Sequence, residues 1–214
     1  MFDLIAERYD LMNDVLSLGR TYSWRRATTQ AIAPKQGEYI LDLAAGTGTS
    51  SRPLAEAGAR VFPTDRSEGM LRTGIKRQPD LNFIAGDALD LPFADDSFDA
   101  VTMSFGLRNV PDPARVLAEL RRVTRTGGRI VICEFANPTL PGLRQAYWFY
   151  LRRIMPWLSR FSTNPTGYDY LRESIITWPS RTMLSEMMVE AGWSDVEWRN
   201  LSAGIVAIHR GVAK

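Results

Sequence analysis

Apolar residues fall along this chain in short runs that alternate with stretches of helical spacing. The runs cover 39–43, 60–64, 81–85, 98–103 and 128–135, and helical patterns lie near 49–57, 67–77 and 112–123. Alternation with short connections predicts parallel strands joined by right-handed crossovers, an α/β sheet. Asp112 and Pro113 offer the third helix a cap and an N1 proline, and Gly127-Gly128 read as the end of its connection to the last run. Pro63 is awkward in a strand because it removes a ladder donor. A helix from Arg181 to Ala191, a Gly192 cap and two runs at 193–199 and 203–209, parted by Asn200-Leu201-Ser202, predict an antiparallel hairpin closing one sheet edge.

Two segments stand outside this alternation. Residues 1–34 carry helix-like spacing (Phe2, Ile5, Tyr9, then Leu16, Trp24, Ala27) broken by turn formers around Asn13 and Asp14, and predict a helical lid over the sheet's crevice. Residues 143–161 mix aromatic residues with arginines and contain no acid. An amphipathic helix of this kind can lie at an anionic membrane surface, or pack on the sheet with its arginines snorkelling. Both readings stay open.

At 214 residues, 45% hydrophobic and 23% charged, the chain suits one domain, 1–214, with a full core. A net charge of +2 asks for no nucleic acid. The single cysteine, Cys133, lies in an apolar run and rules out an internal disulfide or a cysteine-based zinc cluster, so no metal is expected. No run reaches the roughly 18 apolar residues of a spanning helix, and the start lacks a basic-then-apolar signal. A cytoplasmic protein is expected.

The candidate chemistry begins in Tyr39 to Thr49, YILDLAAGTGT, where an apolar strand carrying Asp42 runs into a glycine turn. Gly46 and Gly48 let backbone approach a ligand, and a helix start beyond them would offer free N–H groups. The dinucleotide fingerprint wants a third glycine where this chain has Ser51, so hydride transfer is not favoured. Asp65, at the tip of the next run, can accept both hydroxyls of a ribose, and Asp87 in Gly86-Asp87-Ala88 can take an adenine amino group.

The glycine loop, the two acids and a fourth strand ending at Ser104 together resemble a Rossmann-like class I S-adenosylmethionine-dependent methyltransferase, with a seven-stranded, mostly parallel sheet. Four further stretches narrow the resemblance. They are Tyr9-Asp10-x-Met12-Asn13-x-x-Leu16-Ser17; Ser104-Phe105-Gly106-Leu107-Arg108-Asn109; Arg122 to Arg129 with Glu134-Phe135; and Tyr170-Leu171-x-Glu173-Ser174-Ile175 with Asn200 to Gly211. The set is similar to the ubiquinone/menaquinone-biosynthesis C-methyltransferases, the demethylmenaquinone methyltransferases most of all. That resemblance implies methylation of a ring carbon of a polyprenylated quinol, with S-adenosylmethionine as cofactor, at the cytoplasmic face of the membrane. It implies cofactor contacts from Asp42, Gly46, Thr47, Gly48, Asp65, Asp87, Ala88 and Ser104.

The ring carbon becomes nucleophilic when a ring hydroxyl loses its proton, which a phenol-like pKa near ~10 makes rare at neutral pH. Arg108 is the candidate cation beside that oxygen, with Asn109 as a hydrogen-bonding partner. Tyr9 is a candidate to position the ring, and His209, the one histidine, a candidate base. A lone histidine near the end of an edge strand has an ordinary structural reading as well. A homodimer is left open. The marks of nucleic-acid methylation are absent: no Pro-Pro-aromatic turn follows the fourth strand, and Ile132, not proline, precedes Cys133. A non-catalytic membrane scaffold is the reading from another class, and the two acids with the glycine loop count against it.

Overall fold

The computed structural model describes residues 19–154 and 165–214. In chain order the elements are α1 (Arg20–Ile32), β1 (Tyr39–Leu43), α2 (Arg52–Glu56), β2 (Arg60–Asp65), α3 (Glu68–Arg77), β3 (Ile84–Ala85) and β4 (Phe98–Ser104). A 3₁₀ turn (Leu107–Asn109) follows, then α4 (Pro113–Val123), β5 (Thr124–Phe135), and α5 (Pro141–Phe149), which runs into a π turn (Tyr150–Ile154). The chain ends with α6 (Pro165–Thr177), α7 (Arg181–Glu190), β6 (Trp193–Leu201), a 3₁₀ turn (Ser202–Gly204) and β7 (Val206–Ala213). The seven strands form one sheet in the order β3-β2-β1-β4-β5-β7-β6. β7 is antiparallel to both of its neighbours, and every other pairing is parallel.

Successive strand residues point to opposite faces, which explains the two cores. Leu41, Leu43, Val101 and Met103 pack against Leu117 and Leu120 of α4 and Leu184 and Met188 of α7. Their strand neighbours Ile40, Ala100, Val131 and Cys133 meet Trp24 and Ile32 of α1 and Leu54 of α2 on the other face. Strands covered on both sides read as continuous apolar runs, and these do. Burial pushes the Cys133 thiol up to about 12, as expected of an inert core cysteine.

Local departures from the expected elements have visible causes. β3 is two residues long; just before it the Phe83 N–H turns back to the Leu81 carbonyl at 3.2 Å, and the Phe83 ring lies where a Cβ on Gly48 or Gly74 would come within 2.6 and 2.4 Å. β5 starts at Thr124, opposite Phe98, with the register shifting before Arg129 pairs with Ala100. The extra residues bulge at Gly127 (φ 78°), so the glycine pair sits inside the strand rather than ahead of it. The hairpin turn lies at 202–205, past the expected Asn200-Leu201-Ser202.

Pro63 is accommodated by the same shortness of β3. The Thr64 carbonyl faces β1 and that of Asp65 faces the β3 side, so alternation turns Pro63 toward β3. That strand pairs only with Thr64 and Asp65, and no ladder donor is missed at Pro63.

Candidate active site

The strand order reverses between β1 and β4, and a cavity of about 450 Å³ opens at their carboxyl ends, where sheets of this kind bind ligands. Two non-glycine residues at those ends hold left-handed backbone: Ala44 (φ 56°) and Phe105 (φ 56°). Such conformations cost about 1–3 kcal/mol and concentrate at functional sites. Gly106 makes the crossing of these loops feasible, since a Cβ there would stand 2.6 Å from the Cβ of Ala44.

On the β1–β2 side the wall is built from Gly46, Asp65, Ser67 and Met70, with Asp87 and Ala88 beyond. Asp65 Oδ2 accepts the Gly46 N–H at 2.8 Å and Oδ1 accepts the Ser67 N–H at 2.8 Å. A carboxylate offers about four lone-pair sites, so one aimed at the cavity suits a vicinal diol. Asp87 is held by the Leu89 N–H at 3.0 Å. A Cβ built on Gly46 meets nothing nearer than Met70 Sδ at 3.9 Å, so the missing side chain leaves space at the cavity wall.

The rest of the glycine loop works from behind. Gly48 backs onto Phe83 and Gln78 rather than a ligand. Thr47 is buried, pairs its hydroxyl with Thr49 at 3.0 Å and takes Gln78 Nε2 on its carbonyl. Asp42 lies fully buried beneath the loop, accepting Ser50 and Ser51 hydroxyls at 2.7 and 2.6 Å. Burial pushes its carboxyl up to about 6 despite those two donors. None of Asp42, Thr47 and Gly48 lines the cavity. The expected helix N-terminus is also absent from it: α2 starts only at Arg52, and the Gly48 and Ser51 N–H groups are spent within the loop on Ala45 and Gly48 carbonyls.

The other wall is the β4 end and the turn after it: Ser104, Phe105, Gly106, Asn109 and Val110. Asn109 Nδ2 donates to the Phe105 carbonyl at 3.3 Å, leaving Oδ1 buried and without a protein partner. Arg108 departs from expectation. Its guanidinium does not line the cavity; Nη1 donates to Glu134 Oε1 at 2.7 Å and to the Phe105 carbonyl at 2.6 Å. The two side chains are only 6% and 2% exposed, and the guanidinium lies 5.0 Å from the Phe135 ring centroid. Arg108 therefore enters the site as half of a buried ion pair, not as an open cation.

His209 is removed from the site altogether. It is 2% exposed on β7, its Nε2 donates to the Arg181 carbonyl at 3.0 Å, and burial pushes its pKa down to about 4. The expectation of a catalytic base fails on both position and basicity. Tyr9 and the first half of the expected lid lie outside the described residues. The described half, α1, packs Trp24 against Phe105 and Phe135 and lends no residue to the cavity wall.

Sequence reasoning gave no role to Met70, Ser67 or Glu134. Ser67 had a readable signal, a helix cap whose side chain accepts the Met70 N–H. Glu134 had only its place in a stretch that carries the family resemblance, with no hint of its contact, because its partner is 26 residues away.

This sheet order, with its crevice between β1 and β4 and its terminal antiparallel pair, defines a class I methyltransferase fold. The chain superposes on the methyltransferase of a Haloferax volcanii complex with the Trm112 activator at TM-score 0.72, with 21% identity, covering 99% of this chain and 97% of that one. It also superposes on Haemonchus contortus phosphoethanolamine N-methyltransferase 2 in complex with S-adenosyl-L-methionine, at 0.67 with 16% identity, covering 90% and 52%. The sequence pattern of the ubiE/COQ5 methyltransferase family matches residues 1–213, and the chain belongs to that family. It is 57% identical to the demethylmenaquinone methyltransferase of Streptomyces avermitilis, over 99% of this chain and 92% of that protein. With the protein of the same name from Mycobacterium marinum it shares 52%, over 99% and 91%.

Proposed function

We propose that this protein transfers a methyl group from S-adenosyl-L-methionine to a ring carbon of a polyprenylated quinol, converting demethylmenaquinol to menaquinol. The observation that carries this reading is one cavity with two chemically different walls, a nucleoside-type wall at Asp65 and Asp87 and an opposite wall formed by the β4 end and Asn109. High identity with proteins named for this activity supports the substrate.

The residues fit the cofactor: Asp65 takes the ribose, Asp87 and Ala88 the adenine, and Gly46 and Ser104 flank the amino-acid end. Asp42, Thr47 and Gly48 hold the loop from behind. Once bound, the cofactor supplies an activated methyl on a sulfonium. Asn109, at the cavity wall, orients the quinol ring. Orientation alone can contribute up to ~7–11 kcal/mol.

The amphipathic segment 143–161 reads here as a contact with the cytoplasmic face of the membrane. Tyr147 and Leu151 pack inward with Ile175 and Phe135, while Leu140, Phe149 and Ile154 are 59%, 60% and 38% exposed beside exposed Arg144, Arg152 and Arg153. Apolar side chains rimmed by arginines suit anionic headgroups. No helix among the described residues is long and apolar enough to cross a membrane. Flotation with anionic liposomes tests the contact, and Phe149→Ser should weaken it; a concentration-dependent dimer with no flotation would assign the face to a second copy.

The deciding experiment follows labelled methyl from S-adenosyl-L-methionine into reduced demethylmenaquinone. Label in the ring supports the reading. Cofactor binding without label in the quinol overturns the substrate and leaves the fold class intact.

A further inference from the structure

Glu134 is the last buried residue of β5, 1% exposed, and its two oxygens reach three donors on two segments. Oε1 accepts Arg108 Nη1 at 2.7 Å and the Phe135 N–H at 2.8 Å, and Oε2 accepts the Arg108 backbone N–H at 3.3 Å. One carboxylate thus ties both the backbone and the cation of the 3₁₀ turn to the sheet. The next residue on that turn, Asn109, is the one that reaches the cavity. The Phe105 carbonyl receives both Arg108 Nη1 and Asn109 Nδ2, which fixes the amide with Oδ1 left over. Two polar atoms of this cluster are buried with no protein partner: Arg108 Nε and Asn109 Oδ1.

A carboxylate in contact with a guanidinium cancels most of its field at a distance, so the pair acts on a nearby oxygen far less than a bare cation does. We propose that Glu134 is a positioning residue that sets both the aim of Asn109 and the share of Arg108's charge felt at the substrate's ring oxygen. The inference rests on the reading of the substrate as a quinol whose hydroxyl must ionise. The elements packed at this turn also carry Asp112, Arg115, Glu119, Arg121 and Arg122 at α4, Arg125 and Arg129 on β5, and Tyr170, Arg172 and Glu173 on α6, and Arg108 influences Tyr147 of α5. Asp112 caps its own helix through the Arg115 N–H, and Arg172 pairs with Glu173 at 3.4 Å.

The test is the pH dependence of kcat for methyl transfer to reduced demethylmenaquinone, at saturating cofactor, in the parent, Glu134→Gln, Arg108→Gln, the double variant and Glu134→Asp. With Glu134→Gln the uncompensated guanidinium should move the rising limb to lower pH by roughly one unit, a ~10-fold gain relative to each enzyme's own plateau at the foot of the limb. Arg108→Gln should move it to higher pH. The double variant and Glu134→Asp should keep the parent's limb while losing absolute rate. A purely structural role would lower thermal stability and kcat with the limb unmoved in the single variants, and that result overturns the proposal. Should either single variant fail to fold, the other carries the test alone, since the two shifts have opposite signs. A parent that makes no methylated quinol sinks the functional reading; a parent that turns over, with single variants that keep its limb, sinks only the role of Glu134.

Discussion

The two walls of the cavity are finished to different degrees. On the β1–β2 side the carboxylate that would meet a ligand is already braced, with Asp65 held by two backbone N–H groups. On the β4–β5 side, Asn109 Oδ1 is buried and unmatched in a residue of the wall itself, while Asp42 Oδ1 beneath the first wall and Arg108 Nε behind the second are unmatched away from the cavity. A buried polar atom left without a partner costs roughly 1–3 kcal/mol, so the second wall gains most from a rearrangement that matches it. The contrast suits one wall built for an invariant cofactor and another whose polar groups are completed by the acceptor.

The sharpest way to break this contrast is Asp65→Ala. It removes the acceptor for Gly46 and Ser67 together with the proposed ribose contact, and hydrogen bonds to a charged group contribute about 1.5–3 kcal/mol each. Titration calorimetry should show affinity for S-adenosyl-L-methionine falling by at least ~100-fold. An affinity within a few-fold of the parent would mean that the braced carboxylate holds the loop and not the ligand.

The two sides also differ in their response to pH. Asp42, beneath the first wall, has its pKa raised from 3.8 to about 6 by burial. Its contribution is fully present below the unfolded value and is lost as pH rises through about 6. His209, on the strand beside β5, has its pKa lowered from 6.5 to about 4. Its contribution is present above 6.5 and is lost as pH falls toward 4. Each shift corresponds to ~3 kcal/mol, and the two oppose one another between about pH 4 and 6. Urea unfolding of the parent should therefore show a shallow pH dependence from these groups in that window. Asp42→Asn keeps acceptors for the two serines and should make stability rise with pH, while His209→Phe should make it fall. Parallel slopes for parent and both variants would refute the opposition.

Legibility followed the same division. β1, β2 and β4 were readable because a strand covered on both faces must be apolar throughout, and the acids at their tips stand out against such runs. Asp65 was placed by that logic, whereas Asp87 follows β3, only two residues long and not buried, and was placed by its Gly86-Asp87-Ala88 context. What escaped is what tertiary contacts decide. Gly48 looked like a ligand-facing glycine, but Phe83, 35 residues on, occupies the space its Cβ would need. Arg108 looked like an open loop cation because Glu134 adjoins it only after β5 has returned alongside β4. His209 looked like a base, and the N-terminal end of α7 buries it instead.

Asn109→Ala is a gentler probe of the unfinished wall. The substitution removes the unmatched oxygen and one weak bond to Phe105, so the protein itself should lose little stability. Affinity for S-adenosyl-L-methionine should stay within about twofold, because the braced wall is untouched. Methyl transfer should fall by about tenfold, the rate equivalent of one positioned contact of about 1.4 kcal/mol. Loss of cofactor affinity in step with activity would show that the two walls form one binding unit.

The smallest effect is expected where the walls meet. A methyl added at Gly106 would press on Ala44 Cβ at 2.6 Å and on Met103 Cε at 2.8 Å. Met103 is a flexible side chain and can give way, but Ala44 Cβ moves only with its backbone. Gly106→Ala should therefore cost about 1–3 kcal/mol in unfolding free energy through overpacking. It should also push the glycine loop away from the 3₁₀ turn, separating the methyl donor from the ring carbon. Because misaligned reacting atoms cost rate, kcat should drop by a few-fold more than stability alone explains, with both ligands still bound. A variant that loses stability but keeps its kcat would show that the two walls tolerate independent movement. Alignment across the switch point would then rest on the ligands rather than on the fold.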